Sequence, residues 1–330
     1  MKSLAARADA AFAPVEAVVA ARRIPGAVLG LLAADGERIV RATGFAQIEP
    51  EHAAMRRETW FDLASLTKVV FTTTTILRLV EARKIALDDP LTVAIPDLRQ
   101  YDVAGAIERK LTFRQCLVHQ THLPAVEPLY TYGQDPATLR AFVLQRVWKA
   151  GPPVYSDINF ILLGIAIERL TGRPLIKLAP EGFTFRPDPE NCAATERCTW
   201  RGRIMRGEVH DENAFALGGA SGHAGLFGNA DALLDFAGAL FAAEGVTELR
   251  TRQTATRSLG WEMAYAGWSG GDACAPTVIG HTGFTGTGLW IDRDNGRAWT
   301  LLTNRVHPSR HVETGIQELR RRVGDLVSAS

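Results

Sequence analysis

Apolar positions along the chain repeat with two different periods. Leu4, Ala8, Phe12, Val15 and Val19 recur at helical spacing, which predicts an amphipathic helix over Met1 to Ala21. Two strand-like runs follow, Ala27 to Leu32 and Arg38 to Thr43, and Asp35-Gly36 between them signals a hairpin. Near the other end, Gly288 to Ile291 and Ala298 to Thr303 flank Asp294-Asn295-Gly296, which predicts a second hairpin. Ser258 to Tyr265 and Thr277 to Ile279 add two candidate strands. The tail from Val312 to Leu326 returns to helical spacing through Ile316, Leu319 and Val323.

The middle of the chain reads as helical. Thr67 to Arg83 carries Val70, Thr74, Leu77 and Val80 toward one face, and Ala137 to Val147 and Asn159 to Leu170 follow. The last of these stops at Gly172 and Pro174. Gly151-Pro152-Pro153 and Pro180 to Pro189 are breakers and predict loops. The expected fold class is α/β (α+β): an antiparallel sheet flanked by helices, with an all-helical region inserted. The terminal regions, 1–62 and 240–330, would form the sheet domain, and 63–239 the mostly helical domain, with a cleft between them.

Composition fits a soluble globular chain, with 46% hydrophobic and 22% charged residues over 330 positions. A net charge of +1 points to no nucleic-acid partner and no anionic membrane surface. No run of about eighteen apolar residues predicts a membrane span. The N-terminus, broken by Arg7, Asp9 and Glu16, lacks the apolar core of a signal peptide. This predicts a cytoplasmic protein, or a periplasmic one if a leader has been removed. Four cysteines are too few for a disulfide scaffold, and the Cys192–Cys198 spacing matches no zinc motif. His210, Asp211 and His223 match no ligand spacing either, so no metal and no cofactor are expected.

Three short boxes carry the chemistry. Ser65-Leu66-Thr67-Lys68 comes first, Tyr155-Ser156-Asp157 about ninety residues later, and His281-Thr282-Gly283 near the C-terminus. Lysine is scarce here, with six among 37 basic residues, so a lysine one helical turn after a serine is notable. Lys68 would lie on the same face as Ser65 and either hold a positive field beside the hydroxyl or act as a base if its pKa is depressed. Ser65 could also be a helix cap, and Asp157 the N-cap of a helix beginning near Ile158. Tyr155 could serve as proton acceptor near cations or simply pack its ring. His281 would face a substrate carboxylate or the Tyr155 hydroxyl. The glycines around it leave a strand edge open, and the Phe284 and Ser65 amides would form an oxyanion hole.

At these boxes the chain resembles the serine β-lactamase and penicillin-binding-protein superfamily, closest to the class C-like branch of DD-peptidases, D-aminopeptidases and esterases. The resemblance runs from about Pro25 to Pro308 and extends to Asp62 to Ala64, Ile158 to Phe160, Gly207 to Ala214 and Gly222 to Phe227. It implies a β-lactamase/transpeptidase-like fold and a two-step acyl-enzyme mechanism without a metal. Ser65 would be the nucleophile, Lys68 and Tyr155 the base system, and Ser65 and Phe284 the oxyanion donors. The expected catalytic set is Ser65, Lys68, Tyr155, Asp157 and His281. Thr282, Gly283, His119 and His223 are expected to touch substrate.

Two departures bear on the substrate. The second box of the family usually ends in Asn, here Asp157, and the third often begins with Lys, here His281. A mostly neutral imidazole grips a carboxylate less than an ammonium does. Both changes favour an ester, a neutral amide or an amine-bearing peptide over a β-lactam. The expected function is a serine hydrolase acting on a small ester or a peptidoglycan-derived peptide. The alternatives are a β-lactamase or DD-peptidase, or a binding protein that has lost catalysis.

Overall fold

The computed structural model describes residues 3–242 and 247–329. Its centre is a seven-stranded antiparallel sheet. In spatial order the strands are Ala53–Ala54, Arg38–Gln47, Gly26–Ala33, Arg297–Thr303, Gly288–Asp292, Ile279–Thr282 and Glu262–Met263. The two predicted hairpins are therefore joined by pairing of the chain's ends, with Ala27 opposite Thr303 and Ala33 opposite Arg297.

Strand alternation assigns the two faces. Ala27, Leu29, Leu31, Trp290, Trp299 and Leu301 pack with the helices Leu4–Ala20 and Ile316–Ser328. Val28, Leu32, Leu289, Ile291, Ala298 and Leu302 face the opposite way, into the larger core shared with the helical region. Both faces are covered, so these strands are apolar on both sides rather than half polar. Helix Ala230–Ala242 contacts strands Gly26–Ala33 and Arg297–Thr303. It crosses the boundary expected at 240 and lies on the sheet side.

In the helical region, Asp157–Thr171 is the central helix, buried continuously from Ile158 to Ile167. It ends where expected, at Gly172, whose φ of +67° suits glycine. The segment after Ser65 departs from a plain α-helix. Lys68–Thr73 is a π-turn, followed by the α-helix Thr74–Glu81. Its start is buried all round, Lys68, Thr72 and Thr73 included, rather than along one stripe. Wide π-turns often mark functional sites, because the extra residue redirects side chains.

Three further expectations shift. The strand expected over Ser258 to Tyr265 shortens to Glu262–Met263. The strand at Ile279 runs to Thr282, so His281 and Thr282 lie within it. Asp157 is the first helical residue, with Ser156 at the N-cap position and no capping hydrogen bond there.

Candidate active site

Ser65 sits where a strand ends and a helix begins, and the preceding residue is strained. Ala64 has φ +47°, a region that costs a non-glycine residue about 1–3 kcal/mol. Buried Asp62 holds the turn. Its Oδ1 accepts from the Ala64 N–H at 2.8 Å, and its Oδ2 from the His210 N–H at 2.6 Å. Its carbonyl accepts from the Thr285 hydroxyl at 2.7 Å. One side chain thus ties the Ser65 turn to the 210 loop, and its backbone ties it to the turn that follows the His281 strand. Burial raises the Asp62 pKa, partly opposed by these two amide bonds.

Lys68 is completely buried one turn on. Its ammonium donates to Ser65 Oγ at 2.9 Å and to the His223 carbonyl at 3.0 Å, and pairs with Asp157 Oδ1 at 2.8 Å. Two of these contacts are hydrogen bonds and the third is an ion pair. Burial alone would depress its pKa, but the charges of Asp157 and Tyr155 prevail and hold it above the ordinary 10.5. Of the two roles open at the sequence level, the geometry suits the fixed cation.

Tyr155 lines the cleft with its ring between two cations. Lys68 Nζ lies 5.1 Å from the ring centre and the Arg257 guanidinium carbon also 5.1 Å. Two histidines flank it, His119 at 4.4 Å and His281 at 6.1 Å between ring centres. Burial, with Arg257 and Lys68 nearby, keeps both imidazoles well below the usual 6.5 and therefore neutral. His281 Nδ1 lies 2.9 Å from the Thr282 carbonyl, which can only accept. The proton is therefore on Nδ1, and Nε2 is a bare acceptor, buried and unpartnered.

One expected substrate contact changes place. His119 is not at the cleft rim. It is 3% exposed behind Tyr155, with Nδ1 accepting from the Ser156 N–H at 3.0 Å. It orients the tyrosine and the helix start. His223 is also buried, its ring 2.8 Å from Ser221 Oγ and 2.9 Å from Asp211 Oδ1. It nonetheless lines the cleft, and its carbonyl reaches Lys68.

Ser65, Tyr155, Asp157, His281, Thr282, Gly283 and Phe284 line one cleft of about 730 Å³. A Cβ at Gly283 would run into Thr287 Oγ1 and the Leu63 carbonyl, so glycine is required for this approach. The neighbouring strand pairs only with Ile279 and Gly280, which leaves the edge from His281 onward free among the described residues. The backbone N–H groups of Ser65 and Phe284 have no acceptor among the described residues.

Asp157, Asp211 and His223 bring one potential metal-binding atom each within 4.8 Å of one another. A divalent ion there would have to displace the Lys68 ammonium from Asp157. His210, grouped with Asp211 and His223 at the sequence level, instead pairs with Glu196 at 2.9 Å and stacks on Phe284.

The residues missed by sequence reasoning are arginines. Arg257, Arg305, Arg310 and Arg320 all line the cleft. Arg310 is bound to Glu196 and Glu212. Arg320 was visible as an anomaly, a charge among Ile316, Leu319 and Val323 on the apolar face of the last helix. No motif marks Arg257.

The comparisons with known proteins agree with this fold. Residues 12–321 match the family model described as Beta-lactamase. The chain belongs to the β-lactamase family. The N-acetylmuramyl-L-alanine amidase of Bacillus subtilis (strain 168) is 31% identical over 346 aligned positions, covering 86% of this chain and 78% of that protein. An Escherichia coli (strain K12) protein named "Putative D-alanyl-D-alanine carboxypeptidase" is 32% identical over 304 positions, covering 76% and 70%. Among solved structures, EstCE1, a hydrolase with promiscuous acyltransferase activity, superposes with a TM-score of 0.74 at 20% identity, covering 98% of this chain and all of that one. A class C β-lactamase from Rhodobacter sphaeroides gives 0.73 at 18% identity, covering 97% and 98%. These two likenesses are of fold. This β-lactamase-family chain thus shares its fold with hydrolases of several specificities, so the cleft must argue the substrate.

Proposed function

We propose that the protein is a serine hydrolase that forms an acyl-enzyme on Ser65 and cleaves an amide in a peptidoglycan-derived muropeptide. The observation that carries the chemistry is the buried Lys68 ammonium, 2.9 Å from Ser65 Oγ and fixed by Asp157. The substrate class rests on the two relatives above 30% identity, both named for amide cleavage in wall components.

In this reading Tyr155 reacts as the phenolate, held by the field of Lys68 and Arg257, and takes the proton of Ser65 as Oγ attacks the carbonyl carbon. The oxyanion is held by the Ser65 and Phe284 amides. As the C–N bond breaks, Tyr155 returns the proton to the leaving nitrogen. Water then attacks the ester on Ser65, gives its proton to Tyr155, and Ser65 leaves with a proton restored. Lys68 stays charged throughout, and Asp157 is a positioning residue that keeps it so. His281 Nε2 is the acceptor available to a substrate N–H or to the Tyr155 hydroxyl.

The test is product analysis on N-acetylmuramyl peptides by wild type and Ser65→Ala. Release of free peptide or of terminal alanine by the wild type alone supports the reading. Hydrolysis confined to short-chain nitrophenyl esters would replace the muropeptide with a small ester as substrate. Equal hydrolysis by both proteins would sink the nucleophile assignment.

A further inference from the structure

The last helix, Ile316–Ser328, packs on the sheet through Ile316, Leu319 and Val323, and Arg320 interrupts that apolar face. A guanidinium only 2% exposed is costly to bury. Burial, with Arg305 nearby, brings its pKa down to about 9, so it keeps its charge at neutral pH. Glu262 acts on it but pairs with Arg257, at 3.2 Å. Arg320 instead directs the two protons of Nη2 at neutral carbonyls, that of Gly283 at 2.9 Å and that of Thr287 at 2.8 Å. A buried cation whose acceptors carry no charge is a poor device for stability. Its use lies in what those carbonyls control.

The Gly283 carbonyl belongs to the same peptide group as the Phe284 N–H. That group is planar and trans, so the N–H points opposite to the carbonyl. Holding the Gly283 oxygen toward the last helix therefore aims the Phe284 N–H away from it. That N–H is one of the two oxyanion donors and has no acceptor among the described residues. The Gly283 N–H donates to the Thr287 carbonyl at 2.8 Å, and the Gly286 N–H to the Gly283 carbonyl at 3.1 Å, which closes a tight turn. Arg320 holds both carbonyls of this turn. The Thr285 and Thr287 hydroxyls tie the same turn to the carbonyls of Asp62 at 2.7 Å and Leu63 at 3.1 Å, just before Ser65. The two donor segments are thus braced against each other, with Arg320 bonded to the peptide that carries one of the donors. A cation bonded to a carbonyl also polarises the amide and makes its N–H a stronger donor. The Phe284 side is held separately, its ring stacked on His210 at 5.5 Å and its own carbonyl bonded by Arg305 Nε at 2.8 Å.

We propose that Arg320 is a positioning residue for the oxyanion hole. Through the Gly283 carbonyl it aims and polarises the Phe284 N–H, which then meets the substrate oxygen as negative charge develops there. The inference rests on the reading of Ser65 as the acylated nucleophile. It extends the machinery from the three boxes to the last helix, and it explains why a charge lies on that helix's apolar face.

The test compares wild type, Arg320→Met and Arg320→Lys in two assays. Single-turnover acylation by a chromogenic ester separates the Kd of the ester from the acylation rate. Affinity for phenylboronic acid, which forms a tetrahedral adduct on a reactive serine, reports the transition state. Losing one oxyanion donor outright costs about 10²–10³-fold in rate, so a misaimed donor in Arg320→Met should slow acylation by about 10–100-fold. The boronate should weaken by a similar factor, while the ester Kd stays within about threefold of wild type. Arg320→Lys keeps the charge and should recover part of both losses. Thermal unfolding shows which variants are folded at the assay temperature, and Arg320→Lys carries the comparison where Arg320→Met is not. A staple with a purely structural role would lower Tm without a matched loss of acylation rate and boronate affinity. That result, wild-type acylation in a folded variant, or a loss confined to Kd would overturn the proposal. A wild type without Ser65-dependent acylation would overturn the hydrolase reading, and this proposal with it.

Discussion

Replacing Asp157 by Asn tests how Lys68 keeps its proton. The change preserves side-chain shape and one oxygen acceptor but removes the charge facing a buried ammonium. At 2.8 Å and an effective dielectric of about 20, the pair attracts by about 6 kcal/mol before the opposing cost of desolvation. Breaking a buried pair from one side typically costs about 3–5 kcal/mol. The retained amide oxygen places Asp157→Asn near the lower end, about 3 kcal/mol. For a chain of this size that is a fall in Tm of about 4 °C. The pH dependence is more telling. In the wild type the Lys68 pKa lies above the ordinary 10.5, so the pair's contribution is full below pH 10.5 and lost only as pH rises beyond it. Without Asp157, burial is opposed by Tyr155 alone and the titration of Lys68 moves down. If Lys68 acts as the cation, kcat/KM of the variant gains an alkaline limb that the wild type lacks, and activity falls as pH rises. The assay is a pH–rate profile of both proteins on one chromogenic ester, with Tm at each pH. A variant whose activity rises with pH would make Lys68 the base. An unchanged profile with unchanged Tm would refute the claim that Asp157 holds the charge.

Other outcomes follow from the same geometry. Ser65→Ala should lower kcat by about 10⁴-fold or more with Tm within a few degrees of wild type, checked by single-turnover kinetics and calorimetry. His119→Phe keeps a ring against Tyr155 but strips the acceptor from the Ser156 N–H, and should cost about 1–3 kcal/mol on denaturant unfolding. His119, His281 and His307 have folded-state pKa values below 6.5, so the unfolded chain binds more protons as pH drops. Stability should therefore fall between pH 6.5 and 5.5 by up to about 4 kcal/mol per pH unit, with Asp62 and Glu262, whose pKa values burial raises, opposing by two protons at most. Dialysis against a chelator should leave ester turnover unchanged, because Lys68 already occupies Asp157. A loss restored by zinc would implicate Asp157, Asp211 and His223 as ligands.

The sheet was legible because its turns carry Asp-Gly and Asn-Gly and its strands are apolar runs, and even the pairing of the chain's ends followed from simple economy of topology. The three boxes were legible because each sits at an element boundary where a polar residue stands out. What escaped was set by contacts between distant segments. His119 has the spacing of a rim residue, but its place behind Tyr155 depends on the Ser156 amide 37 positions on. The Asp62 carboxylate's hold on the His210 amide spans 148 positions. Arg257 has no local signal at all, since its importance arises only when strand pairing brings it beside Tyr155 and His281. Arg257 and Arg320 reach the cleft from the edge segment and the last helix, outside all three boxes.

The central claim is an acyl-enzyme on Ser65, and intact-mass analysis after mixing with a slowly released activated ester tests it most directly. One acyl increment is expected on the wild type, mapped to the peptide containing Ser65 and absent from Ser65→Ala. An increment on another residue, or one that persists in Ser65→Ala, would contradict it.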